Sequence, residues 1–370
     1  MAQEIKGSDM QYQFHNPVHI HFGIGTLNHL KEMLNGRNAY LVTFPEARQF
    51  GLIGRLEKLL GEQLVGIEEN VFPNPDVSNL SDSYQDFWAK HARTDVILAL
   101  GGGSAIDTAK SFMVGTQSGK FDELIDLLSK GASFKPHATK SLIAIPTTAG
   151  TGSEVTPWAT IWDKANGKKY SLHLPETWPE AAIIDPELML SLPASVTLQS
   201  GLDALSHALE SIWNRNANPI SDTFGVSAAK GVMNVLPRLM ADQKNIQLRS
   251  DMALAALKAG MAFSNTKTAL AHSISYDMTL QYGVPHGIAC SFTLPMVLKK
   301  AIGYSQERDE VLNKIFNCDI SQAPQVLMDF LKKLGVKTDF GDYGVASTEA
   351  DKMILKALDG VRGKNFIGAN

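Results

Sequence analysis

The chain has 370 residues, 44% hydrophobic and 19% charged, with 34 Lys and Arg against 38 Asp and Glu and a formal net charge of -4. That length implies two or three globular domains with sizeable cores and excludes a single small module. The near-balanced charge, without a basic stripe, argues against nucleic acid as a partner, because neutralising phosphates needs clustered Lys and Arg.

In chain order, residues 22–25 (Phe-Gly-Ile-Gly) read as a hairpin turn, and the apolar run 39–43 as a strand. A helix is predicted over 46–60, strands over 96–100 and 142–145, and a helix over 104–114 between those two. Strands alternating with helices imply βαβ units and a mostly parallel sheet. Beyond residue 190 the texture changes to long amphipathic stretches at 198–213, 220–239, 248–264 and 323–334. The fold expected is an α/β Rossmann-like nucleotide-binding domain over 1–190 followed by an all-helical metal and substrate domain over 191–370. The segment 188–195, with Pro193, is the expected hinge. Residues 1–16 are polar, without an export signal's apolar core, and no run reaches the roughly 18 apolar residues a membrane span requires.

The run before Gly101 leads into Gly101, Gly102, Gly103 and Ser104, then into a helix carrying Asp107 and Lys110. Glycines let a ligand approach the backbone, and the amides and dipole of the helix start suit a pyrophosphate. The Gly-x-Gly-x-x-Gly spacing is not met, so an ordinary tight turn stays open. A second loop, Pro146 to Glu154, sets Thr147, Thr148 and Thr151 after a parallel strand, where such sheets bind ligands.

In the second half, Asp203 and His207 lie one helical turn apart and share a helix face. With His272 and His286 they make one carboxylate and three imidazoles, a first shell for a divalent transition metal with a position left for substrate. Each residue alone is as readily a packed or paired side chain. The two cysteines, Cys290 and Cys318, have no metal or redox spacing, so no thiolate is expected in the site and a reducing, cytoplasmic setting fits. The remaining histidines, His173 among them, read as surface or packing residues.

Taken together these residues resemble the iron-containing alcohol dehydrogenase family, which shares its architecture with glycerol dehydrogenase and dehydroquinate synthase. The resemblance spans essentially the whole chain. It rests on Phe22-Gly23-Ile24-Gly25, on Gly101 to Ser104 with Asp107 and Lys110, and on Pro146 to Glu154. In the second half it rests on Gly201-Leu202-Asp203-Ala204 with His207 and Glu210, on Phe263-Ser264-Asn265, and on Pro285-His286-Gly287. It implies iron or zinc held by Asp203, His207, His272 and His286, and NAD(P) contacted by Gly101 to Ser104, Asp107, Thr147, Thr148, Thr151, Thr156 and Lys169. A homodimer or higher homo-oligomer is expected.

Three departures from the family pattern matter. The strand at 39–43 is followed by Phe44 and Pro45 in place of an acid on the adenosine ribose, which opens NADPH use. Tyr276 stands where many members have a relay histidine, and a phenol is rarely a base near neutral pH. Lys267 stands in a segment usually small and apolar, where it either meets an anionic substrate or turns outward. The stretch from Thr266 to Cys290 is most similar to the family's phosphonate-metabolism branch, which reduces phosphonoacetaldehyde, with Lys267, Arg362 and Lys364 as candidate anion partners, although Arg362 and Lys364 read more readily as a solvated tail.

The expected activity is reduction of a small aldehyde by NAD(P)H, with the metal as Lewis acid and Tyr276 and Lys267 in the catalytic pocket. The rivals are a lyase or cyclase of the dehydroquinate synthase kind, and a dehydrogenase for glycerol or 1,3-propanediol.

Overall fold

Strands buried on both faces read as unbroken apolar runs, because a parallel sheet is covered by helices on each side. The computed structural model describes residues 11–369, so most of the polar N-terminal stretch lies outside the described residues. The strands are β1 (His19–Phe22), β2 (Ala39–Thr43), β3 (Leu64–Glu68), β4 (Val96–Gly101), β5 (Val114–Gly115), β6 (Ala138–Thr139), β7 (Ser141–Pro146), β8 (Trp158–Asp163), β9 (Lys168–His173) and β10 (Ala181–Ile184). Six form a sheet in the order β1-β10-β7-β4-β2-β3, parallel throughout.

Successive side chains alternate between the sheet faces. Tyr40, Val42, Ile97, Ala99, Leu142 and Ala144 pack with Leu80, Tyr84, Phe87 and Phe112 of helices Val77–Lys90 and Gly103–Phe112. Their neighbours Leu41, Val96, Leu98, Ile143 and Ile145 pack with Leu30, Leu34, Ile53 and Leu56 on the other side. Burying one such side chain is worth about 1.5–3 kcal/mol, so a one-residue slip of register is heavily disfavoured. The chain runs from β2 outward to β3, then returns through β4, β7 and β10. The order reverses between β2 and β4, and such sheets bind ligands at the carboxyl ends of the strands beside a reversal. The glycine turn after β4 lies there.

Two predicted elements differ. Residues 22–25 are not a hairpin turn, because β1 pairs parallel with β10; the loop is instead clasped by Asp185, which accepts from the amides of Gly25 (3.1 Å) and Leu27 (3.2 Å). The helix expected over 46–60 is split by Gly51 at φ 72°, leaving a short turn at Pro45–Ala47 and a helix at Leu52–Leu60.

From Ala194 onward the described residues are helical, with helices Ala194–Ile212, Pro219–Ala241, Ile246–Thr266, Leu270–Tyr282, His286–Ser291, Leu294–Ala301, Gln306–Phe316, Ala323–Lys333 and Ser347–Asp359. Asn218 starts the second of these by accepting from the amides of Ile220 and Ser221, with Pro219 at the first helical position. Among the described residues no helix is long and apolar enough to cross a membrane. Helix Ala194–Ile212 is unusual in being buried at every residue from Gly201 to Ile212. A buried helix carrying Asp203, His207 and Glu210 must find partners for each of them, since an unpaired buried charge is strongly unfavourable.

Candidate metal and nucleotide site

Those partners form the site. Glu210 accepts from the amides of Ala269 (2.9 Å), Ala271 (2.5 Å) and His272 (3.3 Å) at the start of helix Leu270–Tyr282, and from His272 Nδ1 (2.6 Å). Burial works against its charge, but His272 and the backbone amides outweigh burial and hold the carboxyl below its ordinary range. One carboxylate thus satisfies orphan amides of a helix start and fixes the His272 tautomer, directing Nε2 the other way.

That Nε2 lies 3.4 Å from Asp203 Oδ1. The ring nitrogens Nε2 of His207 and His286 each lie 3.8 Å from the same oxygen. His207 Nδ1 sits 3.3 Å from the Gly150 carbonyl, and its ring stacks on Phe263 at 4.0 Å and 10°. Burial opposes ionisation of Asp203, yet the surrounding imidazoles, His207 foremost, hold its carboxyl far below the usual range. Asp203 Oδ1 and His272 Nε2 are buried and have no hydrogen-bond partner. Two unpartnered atoms facing each other among imidazoles fit a divalent ion, which would satisfy both at once.

His286 reaches the cluster because Gly287 lets its helix lie against helix Ala194–Ile212. A Cβ at position 287 would stand 2.0 Å from the carbonyl oxygen of Gln199. One turn on, Cys290 Sγ is 3.5 Å from His286 Nε2. Asp203, His272, His286 and Cys290 each offer a donor atom within 4.8 Å of the other three. The expectation that no thiol approaches the site is therefore corrected, because residues 286 and 290 share a helix face. Burial disfavours the Cys290 thiolate, but His272 and His286 outweigh it and bring the thiol down to about 6.

A single cavity of about 570 Å³ joins this cluster to the glycine turn. Its wall includes Gly102, Gly103, Ser104, Asp107, Thr148, Thr151, Thr156 and Lys169 from the first half, and Asp203, His207, His272 and His286 from the second. Gly101 and Thr147 lie behind that wall. Gly101, at φ 152°, would place a Cβ 2.7 Å from that of Ala105, and the Thr147 amide donates to its carbonyl at 2.9 Å. Gly103 is required by a close approach, since a Cβ there would meet Thr151 Cγ2 at 2.8 Å.

Asp107 faces the cavity with both oxygens engaged, by Ser153 Oγ (2.6 Å) and the Thr160 amide (2.9 Å). Lys110 lies beneath it and donates to the carbonyls of Ser153 (2.6 Å) and Trp158 (2.7 Å), so this pair braces the second loop against the helix. His173, expected as a surface or packing residue, is exposed and stacked on Trp158 at 5.6 Å, and it also lines the cavity. The hairpin β8–β9 that carries Lys169 and His173 has no strong sequence signal.

Lys169 Nζ sits 4.0 Å from the centre of the Tyr276 ring, and the Arg362 guanidinium 5.0 Å from it. Burial, then the charge of Arg362, lowers Lys169 to about 7; burial brings Arg362 to about 10. Neither cation makes an ion pair among the described residues, and Arg362 has only Thr268 Oγ1 at 3.5 Å. Tyr276 is not part of the cavity wall, and its buried hydroxyl has no partner. It meets the two cations with its ring, so a proton relay through its hydroxyl has no next member. Lys267 is exposed at the cavity wall with a left-handed backbone, φ 67°. Lys364 is exposed and outside the cavity, which removes it as an anion partner.

Comparison with known proteins places both halves of the chain in one family. Residues 17–186 match the profile described as iron-containing alcohol dehydrogenase, and residues 197–370 match the Fe-containing alcohol dehydrogenase family, C-terminal. An NAD-dependent methanol dehydrogenase of Bacillus methanolicus is 30% identical over 89% of this chain and 88% of its own length. The chain belongs to the iron-containing alcohol dehydrogenase family. A sulfoacetaldehyde reductase of Bilophila wadsworthia is 31% identical over 84% of this chain and 82% of its own. The crystal structure of a sulfoacetaldehyde reductase from Bifidobacterium kashiwanohense in complex with NAD+ superposes with a TM-score of 0.89 at 29% identity, covering 96% of this chain and 94% of that one. The protein is accordingly an oxidoreductase of the alcohol dehydrogenase type, with a parallel-sheet N-terminal part and a helical C-terminal part.

Proposed function

We infer that this enzyme reduces a small aldehyde bearing an anionic headgroup, using NAD(P)H and a divalent ion held by Asp203, His207, His272 and His286. The observation that carries the reading is the shared cavity, with a glycine turn and threonines at one end and the unpartnered Asp203 and His272 atoms at the other. We assign residues 1–190 to nucleotide binding and 191–370 to metal and substrate.

When bound, the ion supplies Lewis acidity to a carbonyl oxygen and the dihydronicotinamide supplies the hydride. The chain's own residues do the rest. Gly102, Gly103 and Ser104 open the helix start to a pyrophosphate, while Thr148 and Thr151 shape the approach. Glu210 holds the His272 ring in the tautomer that turns Nε2 inward. Phe263 and Trp158, stacked at 5.9 Å, form an apolar wall beside His207 that limits water. Arg362 and Lys169, half-buried and without carboxylate partners among the described residues, favour an anionic substrate group such as a phosphonate or sulfonate. The phosphonate-branch similarity around residues 266–290 makes phosphonoacetaldehyde the first substrate to try. The Bilophila wadsworthia relative's name supports trying sulfoacetaldehyde beside it.

The test is a panel of phosphonoacetaldehyde, sulfoacetaldehyde and uncharged aldehydes with NADH and NADPH on iron-loaded protein. Stoichiometric cofactor oxidation with preference for the charged aldehydes is expected. Equal turnover of uncharged aldehydes would refute the headgroup reading. Turnover without net cofactor consumption would point to the lyase or cyclase alternative.

A further inference from the structure

The four donors drawn from the family resemblance are not the tightest set in this chain. Asp203, His272, His286 and Cys290 are mutually within 4.8 Å, and His207 is not among them. Cys290 is fully buried (0% exposed), and its Sγ lies 3.6 Å and 3.5 Å from the two ring nitrogens of His286. Independent evidence that an ion belongs in this space comes from Asp203 (4% exposed) and His272 (2% exposed), whose facing atoms, 3.4 Å apart, make no hydrogen bond. His207 is drawn aside by its contacts with the Gly150 carbonyl and the Phe263 ring.

We propose that Cys290 is a thiolate ligand of this site, entering the coordination sphere when a thiophilic divalent ion is loaded. The inference rests on the metal-site reading above. Two donor sets then overlap on Asp203, His272 and His286. His207 completes an oxygen and nitrogen set that suits iron, and Cys290 completes a set with one sulfur that suits zinc, cobalt or cadmium. Coordination replaces the S–H bond by a sulfur–metal bond; the proton leaves to solvent and no electron moves. The helix makes this possible, since residues 286 and 290 stand one turn apart on the face turned to Asp203.

The experiment loads cobalt(II) into the wild-type protein, Cys290→Ser and Cys290→Ala, and records bound metal and the near-ultraviolet thiolate-to-cobalt charge-transfer band. Wild type is expected to show the band at one cobalt per chain, and both variants to bind cobalt without it. In a zinc competition, Cys290→Ser is expected to lose at least the roughly 10- to 100-fold that removing a supporting partner costs, with iron affinity affected less. One bound cobalt with no thiolate band in wild type would overturn the Cys290 assignment and leave the metal site standing. Failure of wild type to bind any divalent ion would instead overturn the metal-site reading itself. Because the decisive spectrum is taken on wild type, a variant that fails to fold does not obscure the result.

Discussion

Glu210→Gln is the sharpest test of how the fold sets up the metal cluster. All four groups around the Glu210 carboxylate are donors: three backbone amides and His272 Nδ1. A glutamine keeps one oxygen and sets an amide NH2 against two of those donors whichever way it turns. If the NH2 faces His272, the ring must shift its proton to Nε2 to accept, and the nitrogen aimed at Asp203 is no longer a lone pair. If it faces the other pair, amides at the start of helix Leu270–Tyr282 lose their acceptor. Outer partners of metal-bound histidines are worth about 10- to 100-fold in affinity, or about 1.4–2.7 kcal/mol. The two lost charge-assisted hydrogen bonds, at about 1.5–3 kcal/mol each, set the upper end of the stability cost. The measurements are chelator competition for the bound metal, thermal melting of the metal-free protein, and nitrogen NMR of the His272 tautomer. Metal affinity equal to wild type, with the His272 tautomer unchanged, would refute the argument.

The remaining predictions address other parts of the cavity. Arg362→Ala should lower kcat/KM for an anionic aldehyde about tenfold or more, the worth of one charged hydrogen bond, while sparing an uncharged aldehyde. Lys169 is lowered to about 7, so its charge is present below that pH and lost above it; kcat/KM for the anionic aldehyde should fall as pH rises through about 7, relative to an uncharged one. Lys169→Arg, protonated throughout, should flatten that profile. Gly287→Ala sets a Cβ 2.0 Å from the Gln199 carbonyl and should cost both metal content and melting temperature, read by elemental analysis and calorimetry. His272→Ala should abolish metal retention and turnover while leaving nucleotide binding, followed by fluorescence titration, nearly intact; full activity in the metal-free variant would exclude the assigned cluster.

Part of the fold was legible because β2, β4 and β7 are buried on both faces and so appear as apolar runs. β3 was not, since Leu64–Glu68 is only half-buried and alternates weakly at the sheet edge. The hairpin β8–β9 sets Trp158, Trp162, Lys169 and His173 on a cavity wall, and that chemistry masks its periodicity. Gly51 broke a helix whose apolar spacing continues across it, a backbone preference that amphipathic periodicity cannot register.

The site divides the same way. Helical spacing puts Asp203 and His207 on one face, whereas His272 and His286, which come from other helices, joined them by donor chemistry and by the resemblance, not by any spacing. Glu210 lay three residues beyond His207, visible in the motif, and its task was hidden because its partners are backbone amides 59 to 62 residues away. Cys290 was within reach of the same helical spacing that paired Asp203 with His207. Its signal is the histidine one turn before it, whereas the two cysteines themselves stand too far apart to show a metal spacing. Glu210 also explains why the cluster need not be assembled by the ion alone. The carboxylate that ends the amide deficit of one helix is the one that orients His272, so folding the helical core and choosing the imidazole tautomer are a single event.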